Sequence, residues 1–254
     1  MKTSNIILLV ILICLPVFSF TYNWLLKQQY LEGKVRFYVE GYTIQQDLPS
    51  FQHILLDANL SAKDSSDEPI RLSWPWHIRC DATRQIAQIR FPKAWKDIMK
   101  ARVANNTLFL SFETDKMGRN FYTQLSRTFG VAMLELSVPP IQSFTMQNGT
   151  SKFEAVNTMH AVKLVASQKA TLYINNTQLE KIEIHVSDSA SIQFEDNNRI
   201  NQLKYALYDQ AFLSISDQTT IGQWQPDYVD SLSRIALTAK ATELQKHIVR
   251  VVDE

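Results

Sequence analysis

Histidine and cysteine are the residues of this 254-residue chain best suited to metal or nucleophilic chemistry, and their spacing excludes the common motifs. The five histidines form no HxH or HExxH pair, and Cys14 and Cys80 form neither a CxxC pair nor a disulfide framework. No GxSxG serine motif occurs. The six glycines are too widely spaced for a GxGxxG loop or a P-loop. The sequence therefore predicts no catalytic residue, no metal ligand and no cofactor.

The charge balance argues against nucleic acid as a partner. The chain has 26 Lys and Arg against 25 Asp and Glu, whereas proteins that bind nucleic acid need a basic surface to contact phosphates. Hydrophobic residues make up 45% of the chain and charged residues 20%, which is typical of a globular protein and excludes a disordered one.

Trp74 and Trp76 flank Pro75 and are weak candidates for ligand contact. Exposed tryptophan rings stack on sugars and are enriched in interaction hot spots. The alternative is that a tryptophan closes the end of the β-structure and shields its core.

Residues 1–26 predict a membrane anchor or a signal segment. Residues 6–26 carry no charge, and as a helix they would be about 31 Å long, close to the thickness of the hydrocarbon core. A cleaved signal peptide is the alternative, with Val17-Phe18-Ser19 as its cleavage site. Either interpretation predicts export, as a periplasmic domain on a single-pass inner-membrane anchor or as a protein released after cleavage.

Residues 27–135 predict an irregular, β-rich part. Apolar and β-branched runs indicate strands over residues 70–72, 86–91, 107–112 and 131–138. Pro92 followed by Trp95, Ile98 and Met99 predicts a short helix over residues 92–102.

From Pro139 onward the sequence repeats every 20–22 residues. Small residues mark the repeat, and the residues two and four positions after them are almost all apolar, which predicts short strands with one buried face. The small residues are Gly149, Ala170, Ala190, Ala211 and Ser233. The period predicts an all-β fold, a parallel β-helix or solenoid of about 21-residue, two-strand units over residues 136–254 with a C-terminal cap. An antiparallel sheet with coincidental spacing is the alternative, and residues 27–254 are expected to form one continuous domain.

Two further columns of the repeat concern function. One outward column contains no acid, which argues against catalysis on that face: Lys152, Tyr173, Gln193, Ser214 and Ala236. The residues two before each small residue are all polar and predict an exposed turn edge: Gln147, Gln168, Asp188, Asp209 and Ser231. Asp188 and Asp209 are weak candidates for contact with a glycan or a calcium ion. The alternative is a solvated ladder in which they accept hydrogen bonds from nearby backbone amides.

The start of the repeat resembles a known family. Residues 138–144 (VPPIQSF) and 148–151 (NGTS), with the later segments 187–191 (SDSAS) and 209–213 (DQAFL), resemble the putative auto-transporter adhesin, head GIN domain family. The resemblance covers roughly residues 136–242. It implies a bacterial envelope protein with an N-terminal export or anchor segment and a β-helix-like body, and it carries over no catalytic residues.

These observations predict a non-enzymatic envelope protein with an adhesin-like binding or scaffolding role. The alternatives are a carbohydrate-active lyase or hydrolase on a β-helix and a membrane-anchored signalling or regulatory component. The expected partners are the membrane, through residues 6–26, and a glycan or another envelope protein. Self-association into a homo-oligomer stays open.

Overall fold

The structure is a computed structural model that describes residues 21, 22, 24, 44–63, 69–71, 75–92, 95–96, 99–113, 134–156 and 159–238. The chain divides into two compact units, Met1–Gly41 and Tyr42–Glu254. The first unit contains the predicted anchor, which lies outside the described residues apart from Thr21, Tyr22 and Trp24. Within the described ranges, no helix is both long enough and apolar enough to cross a bilayer.

The described residues of the second unit form an all-β structure, with two large mixed sheets and a two-stranded ribbon. The described part of the chain contains β1 (Ile44–Leu48), β2 (His53–Asp57), β3 (Asn59–Lys63), β4 (Pro69–Arg71), β5 (Pro75–Asp81), β6 (Ala87–Phe91), β7 (Met99–Ala104), β8 (Thr107–Phe112), β9 (Leu134–Val138), β10 (Ser143–Gln147), β11 (Thr150–Val156), β12 (Met159–Ser167), β13 (Thr171–Ile174), β14 (Gln178–Val186), β15 (Ser191–Phe194), β16 (Arg199–Leu207), β17 (Phe212–Ile215), β18 (Thr220–Val229) and β19 (Arg234–Leu237). Sheet 1 has the order β1-β6-β9-β5-β11-β13-β15-β17-β19, and sheet 2 has the order β18-β16-β14-β12-β10-β2-β8-β7.

Parallel pairing dominates both sheets. The pairs β1–β6 and β6–β9 in sheet 1 and β7–β8 in sheet 2 are antiparallel. The strands of the sequence repeat pair with one another in parallel: β10, β12, β14, β16 and β18 in sheet 2, and β11, β13, β15, β17 and β19 in sheet 1. Each repeat unit therefore gives one strand to each sheet, and the antiparallel alternative does not hold for this part.

The core consists of columns of equivalent side chains. Leu172 lies opposite Ile192, which lies opposite Leu213, and all three are fully buried. The small residues Ala170 and Ala190 are also buried. Burying a Leu or Ile side chain contributes about 1.5–3 kcal/mol, so these columns are the main source of stability in the repeat.

At the ends of the repeat, residues that stand the same number of positions before the small residue of their unit do not face each other, and the strand pairing is displaced by one residue. Met146, rather than Thr145, lies opposite Ala166, because the turn between β10 and β11 is one residue shorter than the turn between β12 and β13. Trp224, rather than Gln225, lies opposite Leu203, because β18 contains a bulge further along. A bulge adds one residue to one strand and so shifts any alignment counted from beyond it.

A buried ladder of polar side chains lies in the turns that lead from a strand of sheet 1 to the next strand of sheet 2. Asn198 is fully buried, and its side-chain amide donates to the backbone carbonyl of Ile174 at 3.0 Å and to Oγ1 of Thr219 at 3.1 Å. Its Oδ1 accepts the backbone N–H of Thr177 at 3.1 Å. The Thr177 hydroxyl in turn donates to the carbonyl of Asn175 at 2.9 Å. These bonds satisfy buried polar groups across three successive units.

The predicted helix over residues 92–102 is wrong from Met99 onward. Met99–Ala104 is a strand, β7, which forms a hairpin with β8. Asn105 and Asn106 connect the two strands with φ angles of 49° and 61°, the backbone conformation that tight hairpin turns require. One turn remains near Pro92, whose carbonyl accepts the N–H of Trp95 at 2.9 Å.

The predicted strands of the N-terminal part are present in the described residues. The strand over residues 107–112 coincides with β8, and the other three correspond to β4, β6 and β9 with shifted or shorter bounds. Residues 72 and 131–133 lie outside the described part.

Candidate binding surface

Trp76 belongs to the core. Its side chain is 1% exposed, and its ring packs against Phe112 at 4.8 Å and Trp95 at 6.0 Å between centroids. Trp76 therefore does not offer the open ring face that sugar stacking requires. Trp74, the other aromatic candidate, lies outside the described residues.

Asp188 and Asp209 occupy equivalent turns of successive units, as the repeat predicts. Their φ angles are 54° and 53°, and the residue after each, Ser189 and Gln210, is also left-handed. The backbone joins the two turns, because the N–H of Ser189 donates to the carbonyl of Asp209 at 2.9 Å. L-residues adopt this conformation at a cost of about 1–2 kcal/mol each, so the packed units hold the turns in place.

The acidic turns do not assemble a recognisable metal centre. In the portion that the structure describes, no three or more His, Cys, Asp or Glu side chains form a group that could hold a metal ion. The carboxylate of Asp188 accepts the hydroxyl of Ser187 at 3.2 Å. Calcium usually takes six to eight oxygen ligands, so the calcium alternative would depend on backbone carbonyls and water.

An ion-paired cluster of Lys, Glu and His lies on the outer face of sheet 1. Lys152 and Glu154 are two residues apart on β11, and His77 of β5 lies opposite Lys152. Oε2 of Glu154 is 3.0 Å from Nε2 of His77, and its Oε1 is 3.0 Å from Nζ of Lys152. The hydrogen bond from His77, helped by Lys152, lowers the pKa of Glu154 to about 2 against the opposing effect of burial.

Sheet 2 carries a cluster of the same composition. Glu183 and His185 are two residues apart on β14, and Lys163 of β12 lies opposite Glu183. Oε1 of Glu183 is 2.8 Å from Nε2 of His185 and 3.2 Å from Nζ of Lys163. Partial desolvation raises the pKa of Glu183, but the hydrogen bonds from His185 and Lys163 outweigh it and leave the pKa below its usual value. Both clusters arise because residues two apart on a strand share a face with the neighbouring strand.

Ser143 and His53 form a contact of the kind found between a nucleophile and its base. Oγ of Ser143 is 2.8 Å from Nδ1 of His53. A serine hydrolase also needs free backbone donors beside the nucleophile to stabilise an oxyanion. The N–H of Ser143 instead donates to the carbonyl of Gln52 at 3.3 Å, so this pair lacks that element of the catalytic arrangement.

Cys80 is buried, and burial raises the pKa of its thiol above the ordinary value. Since the thiolate is the reactive form, Cys80 is an inert core residue.

An exposed aromatic pair is formed by two residues that sequence reasoning missed, Tyr208 and Tyr228. They are 36% and 49% exposed, and their rings stack with centroids 4.7 Å apart at an angle of 19°. Tyr228 lies on β18, the last strand of sheet 2, and Tyr208 directly follows β16. The sequence repeat does contain a signal for Tyr208. The position occupied by serine in the two preceding units, as Ser167 and Ser187, is occupied by a tyrosine in the next unit.

Carboxylates surround this pair along the chain. Asp209 follows Tyr208, and Asp230 lies two residues after Tyr228. The carboxylate of Asp230 accepts the N–H groups of Asp209, Leu232 and Ser233. Desolvation raises the pKa of Asp230, but these hydrogen bonds and one from the Ser233 hydroxyl lower it overall, so the carboxylate is ionised at neutral pH. We refer to Tyr208, Asp209, Tyr228 and Asp230 as the tyrosine surface.

No protein-family model matches the sequence, and no curated protein matches it either. Solved structures of similar outline include a protein from Bacteroides fragilis described as a putative adhesin, at 13% identity and a TM-score of 0.40, covering 77% of this chain and 96% of that one. A second, from Parabacteroides distasonis and also described as a putative adhesin, has 9% identity, a TM-score of 0.36 and coverage of 77% and 93%. A third, from the same species, is described as a putative lipid binding protein, with 8% identity, a TM-score of 0.35 and coverage of 79% and 96%. At these identities and scores the likeness does not assign a family, and membership of the GIN domain family stays a prediction.

Proposed function

We propose that the chain is a non-enzymatic, adhesin-like binding or scaffolding protein of the bacterial cell envelope, with the repeat wound as a β-helix. The observation that carries the proposal is the path of the chain. From β10 to β19 each successive strand belongs to the other sheet, and each strand pairs in parallel with its equivalent one unit later. Such a path is that of a coil of stacked rungs.

A coil of this kind suits binding because it presents outward side chains in regularly spaced rows. Equivalent side chains of parallel strands stack about 4.8 Å apart. In sheet 2 one outward row contains Lys163, Glu183 and Lys204, of alternating charge. Because the inward side chains fill the core, a ligand would have to bind to outward rows of this kind.

The ionisation of two outward carboxyl groups, those of Glu154 and Glu183, supports binding over glycoside chemistry at these two clusters. A glycosidase needs a carboxylic acid with a raised pKa to protonate the leaving oxygen. The carboxyl groups of Glu154 and Glu183 have lowered pKa values and are paired with Lys and His. They are therefore suited to fixing the surface and not to donating a proton at neutral pH.

The location is tested by fractionating cells that express the full chain. We expect the protein to remain with membranes after extraction with high salt or carbonate, and to be digested by protease in spheroplasts but not in intact cells. Digestion in intact cells would place it on the outer surface. Protection in spheroplasts, with a cytoplasmic marker protected alongside, would overturn the envelope assignment, and a mature N-terminus at Phe20 would replace the anchor with a cleaved signal peptide.

The non-enzymatic assignment is tested by incubating the purified protein with oligosaccharides and following them by mass spectrometry. We expect every oligosaccharide to keep its mass. Fragments that disappear in the Glu154→Gln or Glu183→Gln variant would establish the carbohydrate-active enzyme instead. Unchanged glycans together with a partner-dependent response in cells would favour the regulatory alternative.

A further inference from the structure

We infer that the tyrosine surface is a carbohydrate-binding site that receives one pyranose ring of a neutral glycan against Tyr228. This inference rests on the proposed binding function and names the class of ligand and the residues. Of the candidates suggested by the sequence, Trp76 is buried. Asp209 directly follows Tyr208 and so belongs to the tyrosine surface.

The first step is the orientation of the rings. The stacked arrangement of Tyr208 and Tyr228 occupies one face of each ring. Tyr228 lies on β18, and β18 is the edge strand of sheet 2 in the described part of the chain, so no described strand follows it. The opposite face of Tyr228 is therefore the next position in the ladder. A pyranose ring, whose C–H face packs on the electron-rich face of an aromatic ring, fits the place of a third ring.

The second step is rigidity. Tyr228 is held by its neighbour Tyr208 and by β18, which pairs with β16 on both sides of the bulge at Asp227. Tyrosine has few rotatable bonds, so an already stacked tyrosine loses little conformational entropy when a ligand binds. A ring that is half exposed and fixed in orientation is a ready platform for a ligand.

The third step is charge. The carboxylates of Asp209 and Asp230 lie next to the tyrosines in the sequence, whereas the carboxylate of Asp227 is paired with Lys204 at 3.2 Å and adds no net charge. Carboxylates accept hydrogen bonds from hydroxyl groups and repel anions. The acidic character therefore favours a neutral, hydroxyl-rich sugar over a phosphorylated or sulfated one.

The fourth step concerns the rival occupant, an added β-strand from another protein. β18 contains Pro226 and a bulge that places Asp227 out of register. Proline and bulges at an edge strand oppose pairing with a further strand. The end of sheet 2 is therefore better suited to a ligand that uses the ring face of Tyr228 than to one that uses the backbone.

The test is calorimetric titration of the full chain with cellohexaose, maltohexaose and chitohexaose. We expect binding of at least one of them, an at least tenfold weaker affinity in Tyr228→Ala, and near wild-type affinity in Tyr228→Phe, which keeps the ring. Tyr173→Ala is the matched control, because Tyr173 is an outward residue of sheet 1, and it should bind as the wild type does. The melting temperature of each variant shows whether it is folded.

Two results would overturn the inference. Binding that is unchanged in Tyr228→Ala would move the glycan site elsewhere and leave the proposed binding function intact. Failure of the folded wild type to bind any of the three oligosaccharides would refute the ligand class. A failure of the proposed function itself would differ from both, because it would show as cleaved glycans or as a cytoplasmic location.

Discussion

Replacing Asn198 by alanine tests whether the internal polar ladder stabilises the repeat. Asn198 is fully buried, and its Oδ1 is the acceptor for the backbone N–H of Thr177, which is itself buried. The substitution removes that acceptor. It also removes the bonds that the side-chain amide donates to the carbonyls of Ile174 and Glu195 and to Oγ1 of Thr219.

The size of the effect follows from which groups lose a partner. The carbonyl of Ile174 keeps the N–H of Glu195 at 2.9 Å, so it is not left unsatisfied. The N–H of Thr177 loses its acceptor, and an unsatisfied buried donor costs about 1–3 kcal/mol. The carbonyl of Glu195 likewise keeps the hydroxyl of Thr219. Only the lost bond to Oγ1 of Thr219 therefore adds to this cost, at about 1 kcal/mol, and we expect Asn198→Ala to lower the free energy of unfolding by about 2–4 kcal/mol.

Urea denaturation, followed by circular dichroism, measures this change. Asn201→Ala is the matched control, because Asn201 is exposed on the same strand, β16, and it should change stability by less than about 0.5 kcal/mol. A loss below about 1 kcal/mol in Asn198→Ala would refute the argument, because it would mean that the Thr177 N–H does not depend on Asn198.

Three further predictions use the same measurement. Ala190→Leu should lower stability by about 1–3 kcal/mol, because the side chain at this fully buried corner has no room to grow, and an unchanged melting temperature would mean that the corner is open. Ser189→Gly should raise stability by about 0.5–1 kcal/mol, because the strain of an L-residue at a φ of 57° costs more free energy than the extra chain entropy that glycine loses on folding. A loss of stability would show that the Ser189 side chain is needed. The pKa of Glu154 is about 2 against an ordinary value of 4.5, so its contribution should be complete above pH 4.5 and disappear as the pH falls toward 2. The pH dependence of unfolding should be shallower over that range in Glu154→Gln, and an identical slope in both proteins would contradict the pairing.

The N-terminal part illustrates what local patterns leave undetermined. Pro92 and the apolar residues after it resemble the start of a helix, yet Met99–Ala104 forms a strand against β8. In so short a segment the spacing of the apolar residues fits both a helix and a strand. Pairing with β8 makes it a strand. The Asn105-Asn106 pair was the available signal, because two adjacent asparagines tolerate the left-handed conformation of a hairpin turn.

The candidate site divides in the same way. The polar turn column, with Asp188 and Asp209, follows from the repeat alone, and both residues do lie in equivalent turns. The tyrosine surface does not follow from it, because Tyr208 and Tyr228 stand 20 residues apart at different offsets from the small residue of their own unit. The bulge in β18 changes the register by one residue, so that Tyr228 lies opposite Ala206, and the ring of Tyr228 stacks on the ring of Tyr208.

The sequence by itself determined the repeat: its period, the alternation of its strands and the small residues that are buried at its corners. These features could be inferred because the same pattern of apolar and small residues recurs in every unit. Residues one period apart in the sequence are then direct neighbours on adjacent parallel strands. Only the tertiary structure decided the order of the remaining strands, in which β2, β5 and β9 join the sheets of the repeat from distant parts of the chain. The same non-local pairing decided that Trp76 is buried and that Tyr228 is exposed at an edge. The physical reason is that the burial of a side chain depends on which strand lies alongside its own. The sequence of a single, unrepeated strand does not specify which strand that is.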